Sequence, residues 1–183
     1  MEAGQLSEIL EKELVGNHQY QEVLEIFEGN SSGSVWLVGG MVYKTLINKL
    51  YQTSITTDDF DFVTHKEDIF DLPAGWSEQK TKHGEPRLQR EDIRVDIMWL
   101  ENMHSILERG LDYKIEHYLS GVPLTIQSIA YDVREKTLLG TVGIEAILSK
   151  TVGVMNQDEY DYCLKMYGDH YSVERYAQVL GFS

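Results

Sequence analysis

A chain of 183 residues, 42% hydrophobic and 25% charged, can bury one sizeable core and is read as a single domain over 1–183. Its 30 acidic against 16 basic residues, a formal net charge of −14, argue against a strong general nucleic-acid-binding surface, which needs an excess of cations for phosphate. No apolar run is long enough to span a membrane, the N-terminus lacks the basic and apolar regions of a signal peptide, and the single Cys163 has no intrachain partner. The expectation is a cytoplasmic protein with no membrane partner.

Residues 5–28 read as an N-terminal helical segment. Leu6, Ile9, Leu10 and Leu14, then Tyr20, Val23, Leu24 and Phe27, form two apolar stripes separated at Gly16-Asn17. A polar loop follows to Ser34. Val35-Trp36-Leu37-Val38 is an apolar run of strand length, Gly39-Gly40 is a turn, and Val42, Leu46, Ile47 and Leu50 recur at helical spacing. Asp59-Phe60-Asp61-Phe62-Val63 then alternates with the period of a strand. Period two sends Phe60 and Phe62 into a core and leaves Asp59 and Asp61 together on the opposite face. Asp58 is placed at the strand's solvated edge.

Residues 64–71 read as a turn and short helix. The stretches 76–80 and 86–90 read as a hairpin that gathers Lys82, His83, Arg87, Arg90 and Arg94. These cations either face a triphosphate or acceptor, or are surface charge. Ile93 to Met98 alternates again, with Asp96 between Val95 and Ile97. Helical pieces broken at Gly110 follow over 101–121 and offer a place for an acceptor pocket. Residues 125–131 are apolar enough for burial, 137–139 form a short strand and 143–149 a helix. Two C-terminal helices cover 156–181, the second capped by Ser172, and their tyrosine stripes read as core packing.

Two carboxylates side by side repel, and a pKa rises unless something positive neutralises them. A divalent cation is the natural partner for hard oxygen ligands. If the strand carrying Asp96 pairs beside the first, Asp59, Asp61 and Asp96 form a three-carboxylate metal set. Backbone N–H groups at Gly39 and Gly40 can cradle phosphate, and Lys44, near the start of the helix, can assist; Lys49 reads as solvated. The six histidines show no zinc-ligand spacing, and there is no P-loop or hydrolase elbow.

Val38-Gly39-Gly40, Asp59-Phe60-Asp61-Phe62 and Val95-Asp96-Ile97, in this order, resemble the signature of the polymerase-β-type nucleotidyltransferase superfamily. Two further stretches narrow the likeness to the head (catalytic) domain of tRNA nucleotidyltransferases (CCA-adding enzymes) and poly(A) polymerases. Leu124 to Asp132 is similar to that family's FTINALAYD segment, and Leu138 to Ile147 to its LIDPFGGIEDL segment. The resemblance covers about 35–152, the expected catalytic core. It implies an α/β (α+β) fold with a small mixed, mostly antiparallel sheet, packed helices, and extra helices at both ends.

It also implies an enzyme that moves a nucleoside monophosphate from an NTP, ATP or CTP, to an acceptor hydroxyl with release of pyrophosphate. Two Mg2+ ions, or Mn2+, would sit on Asp59, Asp61 and Asp96, with Gly39, Gly40 and Lys44 on the nucleotide. The acceptor is an RNA 3′ end, a small hydroxyl compound as in aminoglycoside nucleotidyltransferases, or a protein. The chain departs from the family in reading Gly39-Gly40-Met41-Val42-Tyr43-Lys44 where G-G-x-V-R-D is usual, in a longer gap to Asp59, in having Gly121-Val122-Pro123 where Arg-Arg-Asp is usual, and in lacking the downstream E-D-x-x-R motif. A catalytically silent nucleotide-binding or interaction module is therefore the alternative.

Overall fold

The computed structural model describes residues 2–31, 33–57, 59–66, 71–81 and 84–183. Asp58, Lys82, His83 and residues 67–70 of the turn and short helix expected over 64–71 lie outside these. Two helices open the chain, α1 (Ala3–Val15) and α2 (His18–Asn30). The helical phase breaks at Gly16-Asn17, as the sequence suggests, because the Asn17 side chain accepts the Tyr20 N–H at 3.2 Å and starts a new helix.

Among the described residues seven strands follow: β1 (Val35–Val38), β2 (Asp59–Thr64), β3 (Ser77–Lys80), β4 (Pro86–Arg90), β5 (Ile93–Trp99), β6 (Ala130–Asp132) and β7 (Thr137–Leu139). They form one sheet in the order β3-β4-β5-β2-β1-β6-β7. Only β2 and β5 run parallel; the other pairs are antiparallel. The mixed, mostly antiparallel sheet is the one expected. The strand β6 has no counterpart in the sequence reading, which took 125–131 only as buried. Three residues are too few to show a period, and only pairing with β1 makes them a strand.

The remaining α-helices among the described residues are α3 (Gly40–Tyr51), α4 (His104–Glu108), α5 (Ile115–Leu119), α6 (Thr141–Ser149), α7 (Gln157–Tyr167) and α8 (Val173–Leu180). One face of the sheet carries the main core. Leu37, Phe60, Phe62, Val95, Ile97 and Leu88 are buried there against Leu6, Leu10, Ile26, Phe27, Leu46 and Ile147 of the helices. Phe62 lies 4.4 Å, centroid to centroid, from Phe27. A smaller cluster on the opposite face joins Trp36, Val38, Val63 and Ala130 to Ile106, Ile115 and Leu119 of α4 and α5. The start of α6 lies directly on the main chain of 128–129. At Gly140, with φ +96°, a Cβ would stand 2.2 Å from the Ser128 carbonyl oxygen, so only glycine permits this approach.

The helix α8 closes onto the main core through Ala177 and Leu180, while α7 departs from the expected packing. Of its stripe only Cys163 is buried, and Met166 and Tyr167 are about half exposed. A helix that meets neighbours along one side only buries one narrow stripe, whatever its composition. Among the described residues no helix is long and apolar enough to cross a membrane.

Candidate functional site

The strand register assembles the site. Parallel pairing sets Asp61 opposite Asp96 and Asp59 opposite Arg94. Because side chains alternate, all four lie on the face away from the main core. Pairing of β4 with β5 adds Arg87 opposite Asp96, and pairing of β1 with β2 adds Val38 opposite Asp61. A single row therefore crosses the sheet as Arg87, Asp96, Asp61, Val38, Ala130 and Leu139. Charge gives way to apolar surface between Asp61 and Val38. Asp61 stands at that boundary, half covered by the small cluster and beside two other acids.

The consequence is electrostatic. Burial, then Asp96, then Asp59, push the Asp61 carboxyl up from 3.8 to about 6, against an opposing pull from Arg94 and Arg87. Among the described residues its carboxylate accepts no hydrogen bond and makes no ion pair. The other two acids are engaged. Arg87 grips Asp96 with both arms of its fork, Nε to Oδ1 at 2.5 Å and Nη2 to Oδ2 at 2.7 Å, and Arg94 Nη2 contacts Asp59 Oδ2. Among the described residues no three acid, histidine or cysteine side chains converge as a ready metal cage. The arginines hold two of the three carboxylates.

The Gly39 turn abuts the same group. Gly39 has φ +69°, and a Cβ there would lie 2.5 Å from Asp61 Oδ2. The glycine thus admits the carboxylate against the start of α3, whose first N–H groups lack intrahelical partners. Lys44 does not join the carboxylates. Its amine donates to the Thr56 carbonyl at 3.0 Å, with its stem folded along Gly40. Lys49, read as solvated, pairs with Glu13 at 2.7 Å on the surface.

The basic group expected from the hairpin divides by strand parity. Arg87 and Arg94 face the acids, whereas Arg90 projects to the other side and pairs with Glu22 at 2.8 Å. The arginine–carboxylate pairing itself is absent from the sequence reading, although the alternation of Arg94 with Asp96 carries the signal for it.

Two features beside the acids are also missing from that reading. Tyr118 of α5 lies close enough to Asp61 that the carboxylate, after burial, raises its phenol. The phenol of Tyr43 of α3 is likewise raised, first by burial and then by Tyr176 and Asp61, and the Tyr176 ring packs on Tyr171. Gln127 Nε2 donates to Tyr171 Oη at 3.0 Å and to Tyr176 Oη at 3.3 Å. These bonds tie the 125–127 turn to the C-terminal segment. A cleft of about 500 Å3 adjoins the same face, walled by Met98, Met103, Tyr118, Glu159, Tyr162 and Tyr171. Residues 101–121, where the sequence offers a place for an acceptor pocket, form one wall of this cleft, and α7 with the turn after it supplies the other.

Sheet order, the parallel β2–β5 pair and the glycine turn beside its acids are consistent with the polymerase-β-like nucleotidyltransferase fold that the resemblance implies. Among solved structures, the Bacillus stearothermophilus CCA-adding enzyme in complex with CTP matches with a TM-score of 0.55 and 19% identity, over 91% of this chain and 40% of its own. The Thermotoga maritima CCA-adding enzyme complexed with tRNA matches at 0.52 and 18%, over 77% of this chain and 33% of that one. A tRNA-processing enzyme in an apo form matches at 0.52 and 15%, over 88% and 43%. The chain thus spans about a third to two fifths of the length of these proteins. At such identities the likeness is one of fold, and at that level it bears out the resemblance read in the sequence. No family model matches the sequence, and no curated protein matches it either.

Proposed function

We propose that this chain transfers a nucleoside monophosphate from ATP or CTP to an acceptor hydroxyl and releases pyrophosphate. The observation that carries the reading is the parallel register that sets Asp61 opposite Asp96 with Asp59 beside them. The residues fit a divalent cation: Asp61 is a half-buried anion without a partner among the described residues, and the turn at Gly39 has no room for a Cβ beside it. Asp59 and Asp61 would hold Mg2+ with the triphosphate, and Asp96 would complete the site for a second ion. When bound, such ions neutralise phosphate charge and lower the pKa of the acceptor hydroxyl.

The chain's own groups bind and orient. N–H groups at Gly39 and Gly40 hold phosphate oxygens, and Lys44 turns from Thr56 towards them. Asp96 orients the acceptor hydroxyl and takes its proton at a carboxylate oxygen. Tyr118 and the apolar half of the sheet face exclude water from the reacting phosphate. The adjoining cleft seats the acceptor. An RNA 3′ end is favoured by neighbours whose structures contain tRNA and CTP, a small hydroxyl compound by the net charge of −14. The arginine–carboxylate pairs favour a second reading, a module that binds nucleotide without turnover.

The test incubates purified protein with Mg2+ and each α-labelled NTP, with total RNA, an aminoglycoside panel or no acceptor. Label transfer that vanishes in Asp61→Asn supports the enzyme, and the labelled fraction identifies the acceptor class. Metal-dependent nucleotide binding with no transfer to any acceptor supports the second reading.

A further inference from the structure

We infer that Arg87 and Arg94 are triphosphate-binding residues that rest on the site's own carboxylates and exchange partners when a metal-bound triphosphate arrives. The inference rests on the reading that Asp59, Asp61 and Asp96 take a divalent cation. Both guanidinium groups lie on the carboxylate face, one from β4 and one from β5, and together they occupy the acids that flank Asp61. Their side chains are 37% and 45% exposed, so each can swing outward without dismantling the core.

The ion and the arginines compete for the same oxygens. A bare divalent cation must displace two guanidinium groups, each of which then returns to water without its partner. A triphosphate removes that penalty. A guanidinium fork matches phosphate oxygens in the way it matches a carboxylate, through two charge-assisted hydrogen bonds. Each arginine then leaves a carboxylate for a phosphate while the ion takes its place. In a chain of net charge −14, local cations are needed to receive a polyanion, and Lys44 is engaged by Thr56.

Metal and triphosphate should consequently bind with positive coupling, each tightening the other by the same factor. Arg90, from the same hairpin, lies on the opposite face against Glu22 and has no part in the exchange.

The test measures binding of Mn2+ alone by electron paramagnetic resonance, and of the Mn2+ complex of α,β-methylene-ATP by calorimetry. Wild type is compared with Arg87→Gln, Arg94→Gln and Arg90→Gln. Removing the competitor should tighten bare Mn2+ roughly tenfold in Arg87→Gln and roughly threefold in Arg94→Gln, while the nucleotide complex binds roughly tenfold more weakly to both. Arg90→Gln should change neither. Opposite signs separate this role from a structural one, which would weaken both. If Arg87→Gln does not fold, Arg94→Gln carries the same pair of signs.

Mn2+ binding that is unchanged or weaker in the Arg87 and Arg94 variants overturns the inference, as does full retention of the nucleotide complex. Wild-type Mn2+ binding with no response to either substitution overturns it alone. Failure of wild type and every variant to bind Mn2+, with or without the nucleotide, overturns the carboxylate reading as well.

Discussion

The two faces of β2 differ only in the parity of the residue, yet their energetics are opposite. Phe60 and Phe62 enter a core to which α1, α2, α3, α6 and α8 contribute, where burial of apolar surface adds stability. Asp59 and Asp61, one residue out of phase with them, face a surface that α4 and α5 cover only in part. There partial burial raises the energy of a charge that has two acidic neighbours. One face holds the molecule together, and the other is held in an unfavourable state by it. The first face carries stability and the second is the one proposed to carry chemistry, so substitutions on each should fail in different ways.

The largest effect should come from Asp61→Ala. Transfer of label should fall roughly 1,000-fold, equivalent to about 4 kcal/mol of transition-state stabilisation, while the thermal midpoint does not fall. A lowered midpoint would show that Asp61 is structural. On the opposite face, Phe62→Ala should destabilise by about 3–5 kcal/mol in chemical denaturation, because the ring is wholly buried against Phe27. A loss below about 1 kcal/mol would remove that face from the role given to it.

The third outcome concerns pH. In the metal-free chain the folded state holds the Asp61 proton more tightly than the unfolded state does, because its pKa rises from 3.8 to about 6. Stability should therefore fall as pH rises between about 4 and 6, with the loss complete above 6 and absent below 4. For a half-buried group the difference is about 1–3 kcal/mol. Asp61→Asn should abolish this slope in melts recorded from pH 4 to 7.5; a slope that persists must come from other groups.

Smaller still, Gly39→Ala should cost about 1–2 kcal/mol, through its positive φ and the contact with Asp61. Part of that loss should be recovered in the double variant with Asp61→Ala, which a cycle of four melts would detect. Strict additivity would place the strain elsewhere. Least of all, Lys49→Ala should move the midpoint by no more than about 0.5 kcal/mol, since its pair with Glu13 is exposed.

Much of this arrangement is legible in the residues. The alternation in Asp59-Phe60-Asp61-Phe62 and in Ile93 to Trp99 states which side chains share a face, and the diglycine between an apolar run and a helical stripe marks the turn. Other parts are not. Nothing local shows that α7 exposes Met166 and Tyr167, since a helical period does not say how much of the helix finds a neighbour. Local parity sets Arg90 and Arg87 on opposite faces of their strand, but not which of them meets the acids, because that requires knowing which side of the hairpin meets α2.

The sequence by itself determined the parity of the residues in β2 and β5 and the position of the turn, because sterics and side-chain period act within a few residues. It also determined that acids would gather on one face. Tertiary structure alone decided that β5 runs parallel beside β2, which puts Asp96 opposite Asp61, and that arginines from two strands come to rest on the outer acids. Those contacts join residues far apart in the chain, and they form only once the sheet has closed around its core.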